Sequence, residues 1–416
     1  QSFQQFTQGS GYKSFDYYSA GVNVLIDKFL PRRDWLNQLK WRGSWSVVGN
    51  PIPNTLFARQ SYDFSNGTIS TRPPLFDDPQ PETTTSFETG LDVWMFENKF
   101  NFDLTYYNST LRNQFLYVTT ANGESKPVNT GKIRNYGLEF QASYRWNINK
   151  DWRWQTGFNI AWNDNRILET YKTESGAPYE VQMGPNAFKI KYVEGGRYGD
   201  IYVNSFARDE NGHIKINDAG NYENAVPVMA SGKYETKVGN MTSPVTLGWN
   251  NTFTWKNFTL YFLIDGRIGG KVMSLTEADL DLYGLSERSA QDRLNGERVM
   301  QNGKEYILKP LPDGSGNKVS VENYYTTIGA LPMEDHVYNA TSLRMRDISL
   351  SYDMPNLFGK NQGMTAQFSV KNAFFIYKDS PVDPDISVSA ANGYSGIDCY
   401  SLPTTRSFAL TLKFNF

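Results

Sequence analysis

The sequence predicts an all-β chain, a transmembrane antiparallel up-and-down β-barrel wall, and three observations carry that prediction. The 416 residues include 26 tyrosines, 26 phenylalanines and 10 tryptophans, so 15% of the chain is aromatic. The mean hydropathy is nevertheless −0.54, and no apolar run approaches the roughly 18 residues of a helical membrane span. Aromatics on one face of a strand and polar residues on the other reconcile the two. The second observation is period-two alternation along segments of about 10 to 17 residues, longer than the roughly 5–6 of an ordinary strand. The third is the sorting of connections. They run short, long, short, long, as in a meander with tight turns on one rim and large loops on the other.

Eleven strands are expected, at 15–28, 38–49, 84–96, 99–116, 132–147, 151–166, 244–256, 257–268, 341–354, 363–377 and 403–416. In the fifth, Leu138, Phe140, Ala142, Tyr144 and Trp146 oppose Glu139, Gln141, Ser143 and Arg145. In the sixth, Trp152, Trp154, Phe158, Ile160 and Trp162 oppose Arg153, Gln155, Gly157, Asn159 and Asn163. The seventh sets Val245, Leu247, Trp249, Phe253 and Trp255 against Thr246, Gly248, Asn250, Thr252 and Thr254. In the ninth the apolar phase slips from Leu343 and Met345 to Ile348, Leu350 and Tyr352, which a β-bulge would produce. The tenth opposes Met364, Ala366, Phe368 and Val370 to Thr365, Gln367, Ser369 and Lys371. The last alternates from Phe408 through Leu410, Leu412 and Phe414 to Phe416. An open sheet of eleven strands leaves two bare edges, and bacterial barrels have even strand numbers. The chain is therefore expected to be part of a larger wall. The polar opening, 1–16, does not read as a secretory signal.

Several function classes are disfavoured. A net charge of −2 argues against a nucleic-acid binder held by phosphate contacts. One cysteine, Cys399, allows no intrachain disulfide or thiolate cluster, and His213 and His336 read as surface loop residues. No nucleophile elbow, zinc-helix or P-loop pattern occurs, so neither an enzyme nor a cofactor is expected. Charges on the polar faces, among them Arg42, Asp92, Asp103, Arg145, Asp265 and Arg267, should line the lumen, pairing with one another or meeting solute. In the loops, 209–212 reads as a turn. Asp383 and Asp385, two apart in a proline-stiffened loop, are either solvated or a cation or ligand site. Tyr324, Tyr325, Tyr394 and Tyr400 either pack their loops or stack on a ligand. Asp383, Asp385, Tyr394 and Tyr400 are the substrate-binding candidates.

Ordered segments of the chain resemble the SusC/RagA-like TonB-dependent outer-membrane transporters. They are Leu39-Lys-Trp-Arg-Gly-Ser-Trp-Ser-Val-Val-Gly-Asn50, the stretch 84–92 followed by Asn98-Lys-Phe-Asn-Phe-Asp-Leu-Thr-Tyr-Tyr-Asn108, Ile133-Arg-Asn-Tyr-Gly-Leu-Glu139, Asp265-Gly-Arg-Ile-Gly-Gly270 and Ser342-Leu-Arg-Met-Arg-Asp-Ile-Ser-Leu-Ser-Tyr352. The resemblance implies a 22-stranded barrel of which 1–416 would be the C-terminal half, with the plug domain and TonB-binding segment outside this chain. It also implies a terminal Phe416 suited to the barrel-assembly machinery. The implied function is TonB-dependent import of a large nutrient, an oligosaccharide or a peptide, under a SusD-like lipoprotein lid. The implied setting is outer-membrane lipid, with a dimer of transporter–lid pairs. Two other readings stand beside it: a siderophore or vitamin TonB-dependent receptor, and a soluble β-rich carbohydrate-binding surface protein. A surface glycosidase would need two carboxylates at defined separation.

Overall fold

The computed structural model describes residues 2–7, 11–50, 62–63, 70–71, 80–119, 125–173, 176, 179–183, 187–330, 333–360, 362–385, 387 and 396–415. Tyr394 and Phe416 lie outside them.

Eleven strands form one antiparallel sheet in sequence order. They are β1 (Tyr18–Leu25), β2 (Leu36–Asn50), β3 (Glu82–Met95), β4 (Phe100–Arg112), β5 (Lys132–Asn147), β6 (Trp152–Glu169), β7 (Val245–Trp255), β8 (Phe258–Ile268), β9 (Ser342–Gly359), β10 (Gln362–Lys378) and β11 (Ser407–Asn415). Among the described residues β1 and β11 each pair on one side only. The first strand is shorter than the alternation suggests, because Gly11–Asp16 turns away and pairs with Ser2–Thr7. The ninth is longer and runs through 355–359, and the tenth extends by one residue at each end, over Gln362–Lys378. The expected slip in β9 is a bulge: the register with β8 shifts between Leu263 and Ile264, and with β10 between Met345 and Asp347.

The two faces differ as the alternation requires. On the outer face Trp45, Phe87, Leu138, Trp162, Leu350 and Phe368 are all exposed. Trp152, Trp255, Phe258 and Tyr352 form a ring-to-ring series across β6 to β9 at the short-turn rim, with centroids 5.6, 6.0 and 4.5 Å apart. Such a belt suits a membrane–water interface, where an aromatic ring has an apolar body and a polar edge. Polar groups on this face are covered by indoles. Trp41 Nε1 donates to Thr89 Oγ1 at 2.9 Å, Trp154 Nε1 to Asn251 Oδ1 at 3.1 Å and Trp249 Nε1 to Thr156 Oγ1 at 2.9 Å. A hydroxyl or amide facing hydrocarbon is costly unless bonded, and a neighbouring tryptophan supplies the bond.

Most of the buried apolar residues gather at the opposite rim, inside the long connections. Ile167 at the end of β6 packs with Phe188, Ile190, Ile201, Val203, Met273 and Ile397. A second cluster joins Phe206, Ile214 and Ala225 to Val319, Tyr324, Tyr325 and Ile328. The segment Lys271–Ser274 pairs antiparallel with Val337–Asn339 and parallel with Ile397–Asp398, so main-chain bonds join two of the loops. Three helices belong to this lobe: α1 (Leu275–Leu282), α2 (Glu287–Asn295) and α3 (Val321–Ala330). No helix among the described residues is long and apolar enough to cross a membrane.

Candidate functional site

The inner wall is a surface of paired charges, built in two places. Near the middle of β2 to β4, Arg42 and Thr105 both pair in register with Gly90. The Arg42 side chain crosses that glycine to Asp103, with Nη2 2.8 Å from Oδ1, and donates also to Thr105. A Cβ on Gly90 would stand 2.9 Å from both Arg42 Cζ and Leu104 O, so only a glycine leaves this passage open. The same device recurs two strands on. Tyr107 and Asn163 flank Gly137, and Asn163 Nδ2 donates to Tyr107 Oη at 2.6 Å. Closer to the short-turn rim, Asp92 accepts from Lys40 at 2.7 Å, Gln38 at 3.2 Å and Trp94 at 2.7 Å.

The second place is the long-loop rim. The β9 bulge sets Arg344 and Arg346 on one carboxylate, Asp385, at 3.3 and 2.7 Å. Arg267 of β8 reaches the other oxygen of Asp385 at 2.9 Å. Arg346 also holds Asp265 through Nε at 2.8 Å and Asn372 at 3.0 Å. Arg344, itself buried, bonds Asp383 at 2.5 Å and Thr404 at 2.8 Å and lies 3.9 Å over the Phe375 ring. Three wall arginines thus fasten the loop carrying Asp383 and Asp385. Burial alone would lift the Asp383 carboxyl. Hydrogen bonds from Thr404 and the Asp385 N–H, with the Arg344 charge, outweigh it and hold the group below its usual range. Beside this network lies a cavity of about 480 Å³ whose lining includes Arg344, Phe374, Phe375, Lys378, Asp383 and Arg406.

The candidate residues therefore fare differently. Asp383 and Asp385 come together, but as partners of arginine rather than as solvated carboxylates. Tyr400 stands apart from them: its hydroxyl donates to Asp279 of α1, which pushes its pKa up to about 12, and its N–H donates to Thr276 at 2.7 Å. Tyr324 and Tyr325 are buried on α3, donating to Asp335 at 2.6 Å and Asp292 at 2.7 Å, so packing accounts for them. Asp209 Oδ1 accepts from the N–H groups of Asn211 and His213 and closes a turn. Of the lumen charges, Arg145 is exposed and the others are paired.

One expectation is overturned. His336 is fully buried, with Nε2 2.8 Å from Asp281 Oδ2 and 2.9 Å from Arg288 Nη2. Helix α1 supplies Asp281 and α2 supplies Arg288, and both helices were missed because their apolar stripes are weak. The Ser274-x-x-Glu277 pattern is the signal that announces α1: Ser274 Oγ accepts from the Glu277 N–H at 3.0 Å.

The comparisons agree with this architecture. A family model described as TonB dependent receptor-like, beta-barrel, matches residues 1–373. TonB-dependent receptor P3 of Formosa agariphila is 23% identical, over 99% of this chain and 42% of its own length. TonB-dependent receptor SusC of Bacteroides thetaiotaomicron is 24% identical, over 99% and 41%. The chain thus spans about two fifths of the length of these curated relatives. Among solved structures, the RagAB peptide importer in its open-open state superposes with a TM-score of 0.69 at 17% identity, covering 99% of this chain and 44% of that one. Long alternating strands, a tryptophan-capped apolar exterior, a charged inner wall and this match to more than half the residues lead to one assignment: the chain belongs to the TonB-dependent receptor β-barrel family, as a SusC/RagA-like outer-membrane protein.

Proposed function

We propose that this chain is the C-terminal half of a TonB-dependent barrel that imports a large nutrient, an oligosaccharide or a peptide, with a SusD-like lipoprotein lid. The observation that carries the reading is the extracellular lobe. The described residues of connections 170–244, 269–341 and 379–406 pack into one body with shared cores and shared strands, a broad platform on which a lid protein could seat. An inner wall on which most of the named charges are paired supports passage of a polar solute, because little unbalanced charge is left to hold it. No bond is broken in this cycle. The solute binds the lidded state, and energy delivered through TonB changes the relative stability of the closed and open states. The rim around Asp383 and Asp385 is the proposed ligand-facing part, with Tyr400 and, from its sequence position alone, Tyr394 as further proposed ligand contacts. The arginines shape it by fastening its loop, and Phe374 and Phe375 add aromatic surface to the cavity.

Affinity purification from detergent-solubilised outer membranes tests the reading. The expected result is a stoichiometric surface lipoprotein and a tagged polypeptide well above 47.4 kDa. Recovery as a water-soluble monomer without a partner would overturn it. Recovery without a lipoprotein, but with specific binding of a ferric siderophore or a vitamin, would replace it with the small-ligand receptor.

A further inference from the structure

We propose that a groove on the outer wall at the short-turn rim holds one phospholipid. Its acyl chain would lie along β2 to β4 and its phosphate on Arg33. The proposal rests on the outer-membrane location and not on the import reading.

The groove begins with an anomaly of burial. On this outer face large apolar side chains stand exposed, Trp45 at 43% and Phe87 at 47%, yet Val93 between β2 and β4 is only 6% exposed. The cause is the connection 26–35, which folds back over the wall instead of turning away. Two bonds hold it there and a third closes its own turn. Asp27 Oδ1 accepts from the Leu39 N–H at 3.1 Å, the Leu36 N–H donates to Arg33 O at 3.2 Å, and the Phe96 N–H donates to Trp35 O at 2.8 Å. Between the folded-back segment and the wall is a cavity of about 420 Å³ lined by Leu30, Leu39, Leu91, Val93, Phe102 and Arg33, among others. The other lining residues are apolar too, so a single cation sits on a hydrocarbon slot.

The occupant follows from chemistry and position. Leu39, Leu91, Val93 and Phe102 lie on the face opposite the Arg42–Asp103 pair, so the slot opens toward hydrocarbon, where the available apolar molecules are lipids. The short-turn rim of an outer-membrane barrel meets the periplasmic leaflet. The aromatic belt marks the same level, the depth of lipid headgroups. Arg33 and its neighbour Arg32 make no ion pair among the described residues, whereas Lys28 is held by Asp27 at 3.4 Å. A guanidinium at headgroup depth beside an acyl-sized slot is complementary to a phosphate carrying a chain, since its fork of donors matches phosphate oxygens. Asp34 adjoins it, which favours one phosphate over a cluster of anionic lipids.

Native mass spectrometry of the full-length protein in its membrane-purified complex tests this. It would be titrated with phosphatidylglycerol, phosphatidylethanolamine or inorganic phosphate. The wild type is expected to retain one phospholipid after delipidating detergent has removed the rest. Leu91→Trp, which fills the slot, is expected to lower occupancy about tenfold for both lipids. Arg33→Glu should lower it by a similar factor, about tenfold, more for phosphatidylglycerol than for phosphatidylethanolamine. Heat-modifiable mobility on gels verifies that each variant is folded, and if Leu91→Trp does not assemble, Arg33→Glu decides. Equal lipid retention in wild type and variants would overturn the proposal. So would an adduct that inorganic phosphate supplies without an acyl chain.

Discussion

Two glycines show how single positions organise the inner wall. Gly90 and Gly137 each lie in a stretch that resembles the family pattern, and each is crossed by a long side chain running from one neighbouring strand to the other. A methyl group at Gly137 would stand 2.4 Å from Trp162 O and 2.5 Å from Tyr107 Oη. The glycine is thus required by what passes over it, not by its backbone angles. Gly90→Val is expected to displace Arg42 from Asp103 and destabilise the barrel by about 1–3 kcal/mol. Gly21→Val is the control, since a Cβ at Gly21 has no neighbour nearer than 3.7 Å. Urea unfolding in detergent, followed by tryptophan fluorescence, compares them. Equal midpoints for the two variants would refute the crossing role. The tryptophans act at the same scale on the other face. Trp154→Phe removes the donor that satisfies Asn251 Oδ1, a side chain that is almost wholly buried. The expected loss is about 1–3 kcal/mol in the same measurement, the cost of an orphaned buried acceptor, and no loss would mean that the indole contributes only its ring.

At the scale of elements, the β9 bulge couples the wall to the loop above it. One additional residue, Arg346, brings two arginines to the same side of the strand, and both engage Asp385. The Asp383 carboxyl is held below its usual range, so its contribution is complete above the unfolded value of about 4 and is lost as pH falls through the lower folded value. Cleavage of loop 379–406 by an acid-tolerant protease is therefore expected to stay constant from pH 8 to pH 5 and to rise only below pH 4. A rise already between pH 7 and pH 5 would contradict this latch. The helical lobe has its own pin. Burial would raise the Asp281 carboxyl, but hydrogen bonds from His336, Arg288 and Ser286 together lower it. Asp281→Asn leaves Arg288 without its carboxylate and is expected to cost the lobe on the order of 3 kcal/mol. Faster proteolysis within 269–341, with unchanged heat-modifiable mobility of the barrel, is the expected readout. Uniform resistance to the protease would show that the pin does not hold the lobe.

Across the whole molecule, what was legible in the sequence follows from the solvent on each side of the chain. A strand between lipid and a polar lumen must alternate, so all eleven were visible in the pattern, including the bulge at Met345 to Ile348. The lobe was not legible, because its two cores join residues more than a hundred positions apart, such as Phe206 and Ile328, and leave only short local signals. The rim network was half legible: Asp383 and Asp385 stood out in their loop and Arg267 in its strand, while Arg344 and Arg346 lay hidden in an ordinary polar stripe. The same inside-out logic gives the strictest test of the architecture. In β11, Leu410 pairs with Phe368 and Thr411 with Gln367, so the two neighbours face lipid and lumen. Leu410→Arg is expected to cost about 2–4 kcal/mol near the bilayer midplane and to reduce the assembled, heat-modifiable form in outer membranes. Thr411→Arg, the same charge one residue later, meets a wall already lined with ion pairs and is expected to assemble as the wild type does. Because one position reverses every side chain of a strand, equal assembly of the two variants would require a different register for β11, and with it a different closure of the wall.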